Sequence, residues 1–366
     1  MTRLPGLDLI RAAAILWVLD FHAELFGLVG PDDPVAQMGW MGVDLFFALS
    51  GFLIGGQLFS PLAEGRAPDI GRFMARRLLR TLPPYAAVLA IYGLIPPARE
   101  HPALLPLWRY LTFTQNLAMP SDVELAFSHA WSLCVEEQFY LAAPLAVWLL
   151  SRRPSRWSAG LAFGAVILGG AALRAVIWRH TPHAVGTIYF DTFTRLDDLA
   201  AGLALAMVRR LRPALWARVE RHGNLVLAAA VVALAGALWL FQDRGRGITN
   251  VAGYPLLALA TGLLVAAGAG RTSLIGRWRI PGAGLIAGMA YSLYLSHKLA
   301  FHLVLSLAGP QGLAAHPIAV RLGVAGAVAI VGGALHLALE RPSIAWRDRL
   351  LSPRRTAPAR SPQPVA

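Results

Sequence analysis

Residues 223–241 read GNLVLAAAVVALAGALWLF, a run that contains no charged side chain. A helix needs about 20 mostly apolar residues to cross the hydrocarbon core of a bilayer, and this run is long enough. Other parts of the chain are similarly apolar. The segments predicted to span a membrane are 7–29, 39–59, 82–98, 131–150, 158–178, 193–208, 223–241, 251–269, 283–308 and 319–339. The sequence therefore predicts an all-α, polytopic membrane bundle of about ten transmembrane helices.

The composition of the chain also indicates a membrane protein. Charged residues make up 14% of the 366 residues and hydrophobic residues 56%, whereas an ordinary soluble protein has roughly 25% charged residues. These proportions argue against a soluble enzyme, a coiled coil and a disordered protein.

Cys134 is the single cysteine, so the chain has no intrachain disulfide and no cysteine-based metal cluster. The first segment carries Asp8, Arg11 and Asp20 and lacks a small-residue cleavage site, so we expect a span there and not a cleavable signal peptide.

The formal charge of +13 follows from where the arginines lie. Most of them occupy the two termini and the connections 60–81, 151–157, 209–222 and 270–282. The connections on the opposite side carry only Arg99, Arg109, Arg179, Arg244 and Arg246. Because cytoplasmic connections are rich in Lys and Arg, we place both termini in the cytoplasm, and nucleic-acid binding is not needed to explain the charge.

The chain shows two parts. Residues 1–345 form the predicted transmembrane domain, since the apolar segments follow one another with only short connections. Residues 346–366 form a Pro- and Arg-rich cytoplasmic tail that we expect to be disordered.

Ionisable side chains inside a membrane span are costly, so they mark candidate functional sites. Arg11 and His22 are eleven residues apart, which places them on one face of the first helix, about 16 Å apart along its axis. Asp44 and Gly51 share a face of the second helix. The structural alternatives are a buried histidine satisfied by a neighbour, an arginine that anchors topology, and a glycine that only permits close helix packing.

Arginines recur within the connection 60–81. If this connection is helical, Arg72, Arg76 and Arg80 form one stripe along it. The guanidinium group makes paired hydrogen bonds to phosphate, so the stripe suits phosphate recognition. The alternative is that these arginines hold the topology and touch anionic lipid.

Later segments contain further candidates. Glu136 and Glu137 lie about two turns into the fourth segment, so at least one should face a wet cavity, pair with an arginine or be protonated. Arg195 and Asp198 lie at close azimuths in the sixth, where an internal ion pair is the alternative to a site. The ninth segment contributes two more candidates, Tyr294 and His297.

Together and in this order, the motifs resemble the membrane-bound acyltransferase-3 family of bacterial O-acyltransferases. The resemblance covers the chain from Gly6 to about Pro342. It rests on Arg11-x10-His22, Gly42-Val43-Asp44-Leu45-Phe46-Phe47, Arg76-Arg77-x-x-Arg80-x-x-Pro83, Trp131-Ser132-Leu133-x-x-Glu136-Glu137-Gln138-Phe139-Tyr140, Arg195-x-Asp197-x-Leu199-x-x-Gly202, Tyr291-Ser292-x-Tyr294-Leu295-x-His297 and Glu340-x-Pro342.

The chain departs from the family pattern near the ninth-segment histidine. Family members often have Trp on both sides of this histidine and Pro after it. Here those places hold Ser296, Lys298 and Leu299, a departure that bears on contacts with the acceptor. Some members also carry a C-terminal esterase-like domain that this sequence lacks, so we expect the membrane domain alone to handle the acceptor.

The resemblance implies transfer of an acyl group, commonly acetyl, from cytoplasmic acyl-CoA to a hydroxyl of a glycan, a lipid-linked sugar or another glycoside. It implies a multi-pass protein of the bacterial cytoplasmic (inner) membrane that uses acetyl-CoA or another acyl-CoA as co-substrate and needs no metal. A homo-oligomer is left open. A proton-coupled transporter or flippase without acyl transfer is the alternative, since the same intramembrane charges suit a carrier.

The matched motifs also imply roles for single residues. His22 is the candidate base for the acceptor hydroxyl, or a transient acyl carrier, and Asp44, Glu136 or Glu137 would orient it. The residues expected to act in catalysis are His22, Arg11, Glu136 and Asp44. Those expected to bind acyl-CoA are Arg76, Arg77, Arg80 and Arg11. Those expected to bind the acyl acceptor are Glu137, Arg195, Asp198, His297 and Tyr294.

Overall fold

The computed structural model describes residues 4–120, 123–152 and 157–351. Within these ranges the regular structure is helical, and the one β contact is an isolated bridge between Ala103 and Leu125. The predicted all-α class is therefore confirmed. The helices are α1 (Pro5–Leu25), α2 (Pro34–Gln37), α3 (Gly42–Ala63), α4 (Ile70–Leu94), α5 (Leu107–Leu111), α6 (Trp131–Arg152), α7 (Ser158–His180), α8 (Ala184–Phe190), α9 (Asp197–Leu211), α10 (Pro213–Arg221), α11 (Gly223–Phe241), α12 (Gly247–Ala269), α13 (Leu274–Arg277), α14 (Ala283–Ala315), α15 (Pro317–Leu335) and α16 (Arg341–Leu350).

Several helices expose long apolar faces. Leu161 on α7, Val232 on α11 and Leu322 on α15 are each about 70% exposed, as expected for side chains that face lipid. Six described helical segments are long and apolar enough to cross a membrane: Gly39–Ala63, Ser128–Arg152, Ser158–His180, Gly223–Phe241, Gly247–Ala269 and Pro317–Leu350. The chain is therefore a multi-pass membrane protein.

The other predicted spans coincide with α1, α4, α9 and α14, which do not meet the same standard of length and apolarity. Helix α9 has 15 residues, which gives about 22 Å of helix against a hydrocarbon core of about 30 Å. Charged residues interrupt α1 and the first half of α4. The count of ten spans therefore remains a prediction.

Two predicted boundaries change. The connection 60–81 is helical from Ile70 onwards, so Arg72, Arg76, Arg77 and Arg80 lie on the first turns of α4, whereas Arg66 precedes the helix. Helix α16 extends to Leu350, so residues 346–350 belong to a helix and not to the predicted disordered tail. The rest of that tail, 352–366, lies outside the described residues, as do Arg3, Arg153 and Arg156.

Helices α3 and α9 cross in very close contact, and two glycines allow it. A Cβ atom added at Gly51 would lie 2.1 Å from the carbonyl oxygen of Leu199, and one added at Gly202 would lie 2.1 Å from that of Ala48. No side chain fits at such distances, so the helices approach backbone to backbone. The packing interpretation of Gly51 is therefore confirmed.

The arginine-rich connections meet one another at one end of the bundle. The backbone N–H of Arg271 donates to Glu220 Oε1 at 3.1 Å, and the guanidinium of Arg72 donates to the carbonyl of Leu351. At the other end, the backbone N–H of Ala126 donates to the carbonyl of Ala103 at 2.8 Å. We call these the basic end and the opposite end.

Candidate active site

A small cavity of about 110 Å³, lined by both charged and apolar side chains, lies within the basic half of the bundle. Its walls come from α1, α3, α4, α6 and α14. Three cations and two carboxylates line it: Arg11, Arg77, Arg80, Glu136 and Glu137. The fold therefore brings together charges from three separate motifs. We call this space the basic-end cavity.

Hydrogen bonds tie the acids of α6 to their surroundings. Tyr140 Oη donates to Glu136 Oε2 at 2.6 Å, one turn along the same helix, and shares a second hydrogen bond with Ser50 Oγ on α3. The guanidinium of Arg77 lies 5.3 Å from the centre of the Tyr140 ring. Both Glu136 and Glu137 line the cavity although neighbouring residues differ by about 100° in azimuth. Of the alternatives predicted for these acids, a position facing a cavity is the one that the structure shows.

The predicted arginine cluster divides between two surfaces of α4. Arg77 and Arg80 line the basic-end cavity, whereas Arg76 is half-buried and is not among the lining residues. Arg72 turns to the carbonyl of Leu351. The expected stripe of Arg72, Arg76 and Arg80 is therefore not the surface that faces the cavity, because the cavity lies on the side shared by Arg77 and Arg80.

Three histidines from distant parts of the chain meet in the centre of the bundle. The ring centres of His22 and His297 are 4.6 Å apart, those of His129 and His297 are 4.9 Å apart, and those of His22 and His129 are 6.3 Å apart. His22 is 8% exposed, His129 2% and His297 0%. We call this group the histidine layer.

Each ring is oriented by one backbone carbonyl. His22 Nδ1 lies 2.9 Å from the carbonyl oxygen of Val18, and His297 Nδ1 lies 2.7 Å from that of Tyr294. His129 Nε2 lies 3.2 Å from the carbonyl oxygen of Leu295. A carbonyl oxygen only accepts, so these nitrogens carry the protons. In the neutral imidazoles, the other nitrogen of each ring then holds a free lone pair.

A larger cavity of about 760 Å³ lies at the opposite end. Lys298 forms part of its wall, and Phe26, Trp178 and Phe190 add aromatic faces. We call it the opposite-end cavity. Its described lining residues come from the ends of α1 and α7, from α8 and α14, and from residues 101, 119–120, 123–125 and 128.

The histidine layer separates the two cavities. Each histidine lies in sequence between two residues that line different cavities. One of the two lines the basic-end cavity, and the other lines the opposite-end cavity. The flanking pairs are Arg11 and Phe26 around His22, Ser132 and Ser128 around His129, and Tyr294 and Lys298 around His297. The three histidines themselves are not among the described lining residues of either cavity, so the imidazoles lie between the cavities without being exposed in them.

Comparison with known proteins identifies the family of the chain. The family model described as "Acyltransferase domain", of the acyltransferase-3 type, matches residues 4–337. The chain belongs to this acyltransferase family. The O-acetyltransferase OatA of Staphylococcus aureus strains NCTC 8325 / PS 47 and COL is 28% identical over 314 residues, covering 80% of this chain and 50% of OatA. The chain thus spans about half the length of these relatives. No solved structure matches it.

Several motif residues hold the bundle together and line neither cavity. Arg195 donates to Asp44 Oδ1 at 2.6 Å in a fully buried ion pair, and Asp198 accepts a hydrogen bond from Thr261 at 2.6 Å. Asp44 therefore pairs with Arg195 and does not orient His22, and Arg195 does not pair with Asp198. A second buried pair joins Arg174 to Asp197 at 2.6 Å.

Asp44, Arg195 and Asp198 thus have partners inside the bundle, and their predicted roles in catalysis and acceptor binding stay predictions. A charge buried inside a span must be neutralised by a partner, and here the partners are supplied by other helices. Nor does a carboxylate of Glu136 or Glu137 orient His22, because the carbonyl of Val18 takes that place.

His129 was not among the candidate site residues predicted from the sequence. It precedes α6, in the turn Ser128–Ala130, so no helical spacing connects it with the other two histidines. Ser50 and Tyr140, which share a hydrogen bond, were also missed, although Tyr140 lies within a quoted motif. Within the described residues, no group of three or more His, Cys, Asp or Glu side chains is placed to hold a metal ion.

Proposed function

We propose that this acyltransferase moves an acyl group, commonly acetyl, from cytoplasmic acyl-CoA to a hydroxyl of a glycan, a lipid-linked sugar or another glycoside. The observation that carries the proposal is the histidine layer between two cavities. The relatives' printed name, O-acetyltransferase, supports the reaction type. We further propose that the protein lies in the bacterial cytoplasmic membrane with its basic end in the cytoplasm, where positively charged connections are retained.

The basic-end cavity is proposed to receive the acyl end of the donor. Arg11, Arg77 and Arg80 supply guanidinium groups for phosphate or for the polarised thioester region. Their charge exceeds that of Glu136 and Glu137 by one, so an anionic donor is favoured at this end. The opposite-end cavity then receives the acceptor.

His22 is proposed as the general base. Its Nδ1 proton is directed at the carbonyl of Val18, so Nε2 is free to accept the proton of an acceptor hydroxyl. The hydroxyl oxygen attacks the thioester carbonyl carbon, the carbon–sulfur bond breaks, and CoA leaves with the proton returned by the imidazolium. His297 packs against the ring of His22 and holds it in position.

The same lone pair can also take the acyl group, giving an acyl-imidazole that the hydroxyl then attacks. Trapping protein with radiolabelled acetyl-CoA in the absence of an acceptor separates the two routes. Label on a histidine supports the two-step route, and its absence favours direct transfer.

Transfer of radiolabel from acetyl-CoA by the purified full chain tests the proposal. The assay uses a panel of simple glycosides as acceptors and scores labelled ester. His180→Ala provides the control variant, because His180 is an exposed histidine at the end of α7. A transporter would show no labelled ester with any glycoside, and uptake of acetyl-CoA or glycoside into proteoliposomes would then identify it.

A further inference from the structure

The single lysine of the chain lies at the boundary between the histidine layer and the opposite-end cavity. Lys298 directly follows His297 on α14, is 6% exposed and lines the opposite-end cavity. A lysine ammonium in a membrane helix is costly to bury, so its presence calls for a partner or a ligand.

The partners present satisfy the ammonium only in part. Its Nζ donates to Ser128 Oγ at 2.9 Å, and Glu100 Oε1 lies 3.7 Å away, beyond hydrogen-bond range. An ammonium has three N–H donors. Ser128 accepts one and Glu100 attracts a second, so the third has no acceptor among the described residues.

The charge of the cavity wall decides which ligand fits. Among its described lining residues, Lys298 is the single lysine or arginine, and Glu124 is a carboxylate on the same wall. Glu100 lies beside Lys298 and offsets its charge, although it is not a lining residue, and the Glu124 carboxylate lies 3.2 Å from His101 Nδ1. A phosphate or a carboxylate is therefore disfavoured, whereas a neutral hydroxyl group can accept from the ammonium without meeting an excess of positive charge.

The remaining wall favours a ring with apolar faces. Phe26, Trp178 and Phe190 line the cavity, and flat aromatic side chains pack well against the C–H faces of a sugar. A volume of about 760 Å³ lies within the range of about 300–1,000 Å³ typical of ligand sites.

We propose that Lys298 is a specificity-determining residue that binds a hydroxyl group of an uncharged, polyhydroxylated acceptor and thereby holds a neighbouring hydroxyl at the histidine layer. This inference rests on the proposed function, since it names the acceptor class of the same site. It gives a role to Lys298, one of the residues beside His297 at which the sequence departs from the family pattern.

The test is ligand-induced thermal stabilisation of the purified full chain in detergent. The probes are methyl β-glucopyranoside, methyl β-glucuronide and cyclohexylmethanol, which represent a neutral sugar, an anionic sugar and a simple alcohol. We expect the neutral glycoside to bind with the highest affinity. Lys298→Met should weaken its binding about tenfold to 100-fold, the effect expected from losing a charge-assisted hydrogen bond.

Two further variants test whether a loss of binding is caused by loss of the Lys298 ammonium itself. Lys298→Met combined with Glu100→Gln removes both charges, so it avoids an unpaired buried carboxylate and should show the same loss. Arg246→Met removes one exposed positive charge at the same end, where Arg246 pairs with Asp243, and should leave glycoside affinity unchanged.

Acetyl-CoA is titrated in parallel with every variant, and its stabilising effect reports on the proposed function independently of the acceptor. Failure of acetyl-CoA to stabilise the wild type would count against acyl transfer. With acetyl-CoA bound, unchanged glycoside affinity in both Lys298 variants would overturn the inference. Tighter binding of the glucuronide would overturn it too, in favour of an anionic acceptor, as would equal binding of cyclohexylmethanol.

Discussion

Replacing Arg80 by alanine should weaken the binding of acetyl-CoA and leave the bound reaction nearly unchanged. Arg80 lines the basic-end cavity from α4, is partly exposed and has no carboxylate within ion-pair distance among the described residues. Its guanidinium is therefore available to a phosphate. Hydrogen bonds to charged groups contribute about 1.5–3 kcal/mol. Partial exposure favours the lower value, and about 1.4 kcal/mol corresponds to a tenfold change in the dissociation constant.

Arg76→Ala is the matched control, because it removes the same charge one turn earlier on the same helix from a residue that does not line the cavity. Calorimetric titration of acetyl-CoA into each purified variant measures the dissociation constants, and a salt series measures the electrostatic part. We expect a tenfold increase for Arg80→Ala with a weaker salt dependence, and less than about a threefold increase for Arg76→Ala. An equal loss in both variants, or a lower kcat with unchanged binding for Arg80→Ala, would refute the assignment of the cavity to the donor.

Three further predictions concern the base, the helix crossing and the topology. His22→Ala should fold and still bind acetyl-CoA but lose transfer by about 10²–10⁴-fold, with His180→Ala near wild type; retained transfer would move the base to another histidine. Gly202→Ala should lower the melting temperature, since overpacking costs about 1–3 kcal/mol, while Gly56→Ala, where the added Cβ meets nothing within 4 Å, should not. A reporter fused after Leu351 should be active only if it works in the cytoplasm; an active periplasmic phosphatase there would contradict the proposed orientation.

Apolar length and the order of motifs were sufficient to predict the class of fold and the family. Long runs such as 223–241 leave few alternatives, because a chain with so little charge must bury its surface in protein or lipid. The close helix crossing at Gly51 could also be predicted from the sequence, since a glycine on the same helix face as an intramembrane carboxylate indicates close helix packing. The spans that contain charged residues were harder to recognise from their apolar length, because side chains placed there for function reduce the apolarity of the segment.

The partners of the buried charges could not be predicted from spacing. Asp44 and Arg195 are 151 positions apart, and both were recognised as costly intramembrane charges, yet only the packing of α3 against α9 shows that they neutralise each other. The cavity-facing surface of α4 was ambiguous for a similar reason. Arg76 and Arg77 follow each other, so arginines point to two faces of that helix, and only the position of α6 decides between them.

The position of His129 beside the other two histidines could not be predicted from the periodicity of any single helix. It joins His22 and His297 through tertiary structure alone, from a short turn that no periodicity relates to either.

The separation of the two cavities by buried imidazoles matters for the energy supply of a cell that contains this protein. A membrane that stores energy as a proton gradient loses it through any continuous file of water. His22, His129 and His297 leave little or no room for water between the cavities, since their exposed fractions are 8% or less. In the proposed function, the donor and the acceptor would approach from opposite faces with no continuous water file between the two cavities.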